Sequence, residues 1–242
     1  MTAVNVISTK DGIHLFADTA SYDVDGKVLG FRSKLRAIGT AGAALAGSGI
    51  GPLIDAVFGA LSGARSFAEL VERLPACFIE AAGRFAGALE GLPTEVEIYA
   101  AGYAGGKASV VSLKGDARSP SDAQVIAMPA GTWAFQPSPQ HDGFNAVGKL
   151  TVAGLEAMNK HGENMPLDLV PAYASTILQI QRHSKTGYGQ LAGGMGAYVV
   201  GGSGELMTCW PDGQVSSRLL VHWDDVIGER IMPECYRKES AT

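Results

Sequence analysis

Cysteine is scarce in this 242-residue chain, and its cationic side chains are scattered. Cys77, Cys209 and Cys235 are odd in number and far apart, matching neither a disulfide framework nor a zinc site. They point to a reducing compartment with buried or idle thiols. Lysine and arginine total 19 against 24 aspartates and glutamates, a net charge of −5. With no Lys/Arg cluster, nucleic acid is excluded as an expected partner. Apolar runs are short: Ala41–Gly51 is interrupted by glycine, and nothing reaches the ~18 residues that suggest a membrane span. The N-terminus shows no basic region followed by an apolar core, so a cytoplasmic protein without a secretory signal is expected. The run Gly47-Ser48-Gly49-Ile50-Gly51 lacks the spacing of either phosphate-binding fingerprint. His141, His161 and His183 are expected on surfaces or loops, and no histidine pair has ligand spacing, so no cofactor and no metal is expected.

What the chain does have is an ordinary globular balance, 46% hydrophobic and 18% charged, with 32 glycines that often bracket apolar stretches. A single domain over residues 1–228 with a charged C-terminal tail at 229–242 follows. Val4–Thr9 and Ile13–Thr19 read as strands joined by the Lys10-Asp11-Gly12 turn. Val28–Arg32, Leu35–Ile38 and Ala41–Ala46 continue an antiparallel sheet. From Pro52 the period changes: Leu53, Ile54, Val57, Phe58 and Leu61 recur at helical spacing. A second helix is capped by Ser66, with Glu69 in the capping-box position and Pro75 expected to kink or divide it.

Strands are predicted again over Glu95–Ala101 and Ala108–Leu113. Ser119–His141 holds four prolines and reads as loop apart from a strand at Gln124–Met128. Within it, Trp133 and Phe135 are candidates for ordinary packing, a pocket lining or a subunit contact. Helices are predicted over Phe144–Lys160 and Pro166–His183, then a hairpin of Gly194–Gly201 with Glu205–Trp210, and a strand over Gln214–Val221. Strand runs separated by helix pairs imply an α+β fold, a four-layer αββα sandwich of two antiparallel sheets flanked by helices.

The chemistry concentrates in the first fifty residues, at Thr2, Asp18, Lys34 and Gly47. A threonine hydroxyl is a poor nucleophile unless a base takes its proton. If Met1 is removed, as is common before a small residue, the α-amine of Thr2 lies close to its hydroxyl and titrates at ~7.7–8.0. A neighbouring lysine ammonium lowers the pKa of both groups, and an aspartate orients that lysine. Backbone N–H groups of a glycine turn can serve a developing oxyanion.

Thr2, the Lys10-Asp11-Gly12 turn, Asp18 and Lys34-Leu35-Arg36-Ala37-Ile38 resemble the start of proteasome β-type subunits, in the N-terminal-nucleophile hydrolase superfamily. Counted from Thr2, Asp18 and Lys34 fall where that family has its catalytic aspartate and lysine. Gly47, in Ala46-Gly47-Ser48-Gly49, falls at the family's oxyanion turn. The resemblance implies a peptide substrate and self-association into rings or another oligomer. It covers residues 2–50 specifically and the remainder only in architecture. The chain departs from the family at three points: Ala130-Gly131-Thr132 replaces a serine-containing glycine turn, His183 rather than aspartate follows Arg182, and Met1 precedes Thr2. Two functions therefore stand side by side: a threonine-type amide hydrolase, and a non-catalytic structural or assembly subunit that keeps the fold.

Overall fold

The computed structural model describes residues 3–23, 25–90, 92–185 and 197–233. Among them are five α-helices and three antiparallel sheets, a mixed α+β architecture. Strands β1 (Val4–Ser8) and β2 (Ile13–Asp18) form the expected hairpin. The Thr9 N–H and hydroxyl both donate to the Gly12 carbonyl, at 2.9 and 3.1 Å, which closes the turn. Strands β3 (Ala20–Tyr22) and β4 (Val28–Phe31) make a small two-stranded flap. Then β5 (Leu35–Ile38), β6 (Ala43–Ser48), helices α1 (Gly51–Leu61) and α2 (Phe67–Phe85), and strands β7 (Glu95–Ala104), β8 (Lys107–Asp116) and β9 (Gln124–Met128) follow. These five strands form one sheet in sequence order. The chain returns as β10 (Trp133–Gln136), runs through helices α3 (His141–Val147), α4 (Lys149–Asn159) and α5 (Val170–Arg182), and ends in β11 (Ser203–Cys209) and β12 (Val215–His222). The other large sheet has the order β10-β1-β2-β11-β12.

Side-chain alternation along the strands divides the core into three. Val4 and Val6 of β1, Ile13, Leu15 and Ala17 of β2, and Met207 and Cys209 of β11 pack with Ala44, Ala46, Tyr99 and Ala101 of the other sheet. The intervening residues Ile7, Phe16 and Leu206 turn to Tyr173, Ile177 and Leu178 of α5. Leu45, Ile98, Ala100 and Leu113 turn to Leu53, Val57, Leu70, Leu74 and Phe78 of α1 and α2.

Several elements differ from expectation. Pro75 does not divide α2, which runs 19 residues with Ser66 capping it through the Glu69 N–H. An interior proline costs roughly 3 kcal/mol, but each fully buried Leu or Phe returns ~1.5–3 kcal/mol. Leu70, Leu74 and Phe78 flank the proline and are all fully buried. The predicted helix 144–160 breaks at Gly148, whose φ of +83° lies outside the helical region. The last helix begins at Val170, because Pro166–Leu169 closes a turn of its own. Trp133–Gln136, expected as loop, is a strand beside β1. The hairpin expected over Gly194–Gly201 lies partly outside the described residues, and residues 199–201 are not strand. At the start of the tail, the Val28 N–H donates to the Glu229 carbonyl at 2.8 Å and Ile231 is buried.

Candidate active site

Asp18 ends β2 and Lys34 immediately precedes β5, so the two come from different sheets. Lys34 Nζ donates to Asp18 Oδ1 at 2.6 Å, with the side chains 2% and 0% exposed. The same oxygen accepts the Ala3 N–H at 2.9 Å. The other oxygen, Oδ2, accepts the N–H groups of Ala20 at 3.2 Å and Gly201 at 3.1 Å. One carboxylate thus gathers four donors from four places in the chain.

Burial pushes Lys34 down from its usual range to about 8. The Asp18 carboxylate opposes that fall, Arg32 adds to it, and Glu205 opposes it more weakly. Arg32 is itself held away from the pair: its guanidinium donates to Asp55 at 2.8 Å and to Ser21 at 3.3 Å. Glu205 accepts the Ser33 hydroxyl at 2.6 Å.

Gly47 lies on β6, next to Lys34 through the backbone: its N–H donates to the Lys34 carbonyl at 3.2 Å. A Cβ there would stand 2.6 Å from Ile54 Cγ2, so glycine lets α1 sit against the sheet. Thr2 lies outside the described residues. The structure therefore joins Asp18, Lys34 and the backbone of Gly47, with the amide of Ala3 tied into the same carboxylate.

The glycine turn at Ala130-Gly131-Thr132 is elsewhere. The Ser8 N–H donates to the Thr132 carbonyl at 2.9 Å, which puts that turn at the far end of β1. Ser8 lies five positions along the strand from Ala3, about 16 Å at ~3.3 Å per residue. His183 donates from Nδ1 to the Gln179 carbonyl at 2.8 Å. Trp133 and Phe135 do line a pocket, of about 390 Å³, with Gly131, Asn159, Gly162 and Tyr173. A second pocket of about 210 Å³, bordered by His14, Thr208 and Arg218, is smaller than the ~300 Å³ at which ligand sites begin. Neither pocket includes Asp18, Lys34 or Gly47.

Sequence reasoning missed a second buried ion pair. Arg182, at the end of α5, makes a two-pronged contact with Asp225: Nη1 to Oδ2 at 2.8 Å and Nη2 to Oδ1 at 2.9 Å. Asp225 follows β12 in a Trp-Asp-Asp stretch, with no spacing that ties it to Arg182. Gly201 and Gly202 join the two pairs, within the stretch whose sequence reads as a hairpin. Among the described residues, no group of three His, Cys, Asp or Glu side chains could hold a metal ion, and no helix is long and apolar enough to cross a membrane.

Two antiparallel five-stranded sheets, with Asp18 and Lys34 buried together at strand ends, make a fold that solved structures share. Among the solved structures that this chain resembles are Anbu proteins, named for an ancestral beta-subunit. Anbu from Yersinia bercovieri aligns over 92% of this chain and 88% of its own, with a TM-score of 0.62 and 12% identity. The Anbu complex from Pseudomonas aeruginosa, described as a helical assembly, aligns over 99% and 92%, with a TM-score of 0.61 and 14% identity. Anbu from Hyphomicrobium sp. strain MC1 aligns over 98% and 91%, with a TM-score of 0.56 and 12% identity. No family model matches the chain, and no curated protein matches it. These likenesses correct the expected proteasome β-type subunit: the neighbours are Anbu structures, a distinct family related through the fold.

Proposed function

We propose that this protein is a threonine-type amide or peptide hydrolase, with Thr2 as its N-terminal nucleophile once Met1 is removed. The observation that carries this reading is that Asp18 Oδ1 accepts both Lys34 Nζ and the N–H of Ala3, the residue bonded to Thr2. That shared oxygen ties the lysine to the start of the chain.

In this reading the Thr2 hydroxyl attacks the substrate carbonyl while its own α-amine takes the hydroxyl proton. The ammonium of Lys34 favours the alkoxide, and Asp18 orients the lysine. The proton passes to the departing amine as the C–N bond breaks, leaving an ester on Thr2. Water, activated by the same α-amine, then cleaves the ester and restores the hydroxyl. The turn around Gly47 serves the oxyanion; for the Gly47 amide to do so, its 3.2 Å bond to the Lys34 carbonyl must open. The reading includes a single domain over 1–228 and the four-layer order of helices, sheet, sheet and helices, which the three separate cores support. It also includes self-association, as in the helical assembly of the Pseudomonas aeruginosa neighbour, and a cytoplasmic location.

The occupied Gly47 amide favours a second reading, a structural subunit that keeps the fold without the chemistry. Intact mass of the protein made in cells separates the two first: a mass that retains Met1 removes the free amine and with it the hydrolase. Labelling by a threonine-directed electrophile separates them again. The hydrolase labels at residue 2 and loses the label in Thr2→Ala and Lys34→Ala, whereas equal labelling of all three leaves the structural reading.

A further inference from the structure

Asp18 and Asp225 are held by neighbouring residues of one turn. The Gly201 N–H donates to Asp18 Oδ2 at 3.1 Å, and the Gly202 N–H donates to Asp225 Oδ2 at 2.8 Å. Val200, the residue before them, offers its carbonyl to Arg182 Nη1 at 2.9 Å. The Gly201 carbonyl in turn accepts the N–H groups of Thr19 and Ala20, at 3.3 and 3.1 Å. The turn leaves no room for side chains. A Cβ on Gly201 would stand 2.4 Å from Asp225 Oδ2, and one on Gly202, whose φ is +74°, would stand 2.5 Å from the Phe31 ring.

Arg182 and Asp225 are 0% and 1% exposed, and Trp223 covers the guanidinium at 4.9 Å from its ring centre. A buried ion pair is weak evidence for stability, since apolar replacements often do as well. What such a pair can do better is fix a geometry: the planar guanidinium grips a carboxylate along two parallel bonds and stays charged. Here both partners of the pair also grip the turn that carries Gly201.

We infer that Arg182 and Asp225 are positioning residues for the Asp18–Lys34 site: they clamp the 200–202 turn, and the turn sets the Asp18 carboxylate toward Lys34 and the start of the chain. The inference rests on the proposed role of that site, but its test does not depend on Thr2 reacting. The charged groups around Lys34 are Asp18 on β2, Arg32 before β5 and Glu205 on β11. None belongs to the clamp, so removing the clamp in a charge-neutral way leaves them all in place.

The experiment compares the wild-type protein, the double variant Arg182→Gln/Asp225→Asn, and Leu70→Ala, a control buried in the α1–α2 core. It measures the Lys34 titration by NMR at the side-chain nitrogen, hydrogen exchange of the Gly201 amide, and labelling at residue 2. In the double variant water reaches the loosened site, so the Lys34 midpoint rises by about one pH unit. Gly201 exchanges about tenfold faster and labelling falls by a similar factor. Leu70→Ala leaves the Lys34 midpoint where it was. Should the double variant not fold, Arg182→Lys keeps the charge but loses the two-pronged grip, and it shifts the same quantities in the same direction by less. An unchanged Lys34 midpoint in these variants, or an equal change in Leu70→Ala, overturns the inference. A wild-type protein that takes no label, with the Lys34 shift intact, rejects the nucleophile and keeps the clamp.

Discussion

The two buried ion pairs use different cations, and the difference follows the geometry of each. Arg182 meets Asp225 along two parallel bonds at 2.8 and 2.9 Å, a grip that holds a permanently charged group in one orientation. Lys34 meets Asp18 through a single 2.6 Å contact, and burial draws it down to about 8. The first pair can fix position but cannot give up a proton near neutrality; the second can. Asp18 also rests on three backbone N–H groups, from Ala3, Ala20 and Gly201, whereas Asp225 is shown with one, from Gly202. The Asp18 carboxylate therefore depends less on its cation than Asp225 does.

That contrast can be broken by removing each cation. Arg182→Leu strands a buried carboxylate and is expected to cost about 3–5 kcal/mol, read from urea unfolding. Lys34→Met leaves three backbone donors on Asp18 and is expected to cost less, about 1–3 kcal/mol in the same assay. A Lys34→Met loss equal to or larger than that of Arg182→Leu would erase the distinction.

The fold was legible where pattern is local. The hairpin of β1 and β2, the capped start of α2 and the apolar stripes of both outer helices follow from alternation, Ser66 and helical spacing. Elements decided by distant contacts were not. Trp133–Gln136 is too short for a period of its own and is a strand because it pairs with Val4–Ile7, far away in sequence. Pro75 reads as a break until the burial of Leu70, Leu74 and Phe78 is known. The site shows the same division. Asp18 and Lys34 were named through the resemblance to proteasome β-type subunits, and they meet. Arg182 with Asp225, and the turn at 200–202 between the two pairs, had no sequence signal because 43 residues separate the partners.

His14 sharpens the comparison from a third side, four residues before Asp18 on the same strand. Its ring lies between Thr9 and Thr208 hydroxyls, at 3.3 and 3.0 Å. With no carboxylate shown against it, burial lowers it to about 4. The folded protein binds fewer protons there than the unfolded chain between about pH 4 and pH 6.5. The stability linked to neutral His14 is therefore complete above 6.5 and lost as pH falls to 4, about 3 kcal/mol in all. Unfolding measured across that window should flatten in His14→Gln. Lys34 follows the same sign in a different window: between about pH 8 and 10.5 the folded state binds fewer protons, so its burial penalty eases as pH rises. Gly47→Ala is expected to cost as much as Lys34→Met, about 1–3 kcal/mol of overpacking from the close approach to Ile54, read from urea unfolding.

The pH dependence of labelling at residue 2 tests the central claim most directly. The proposed site needs a neutral α-amine, which appears above ~7.7–8.0, and a charged Lys34, which is lost above about 8. The account predicts a narrow bell with its maximum near pH 8, and loss of labelling in Lys34→Ala. A rate that climbs without a maximum to pH 10, or a residue 2 that takes no label at any pH, would contradict it.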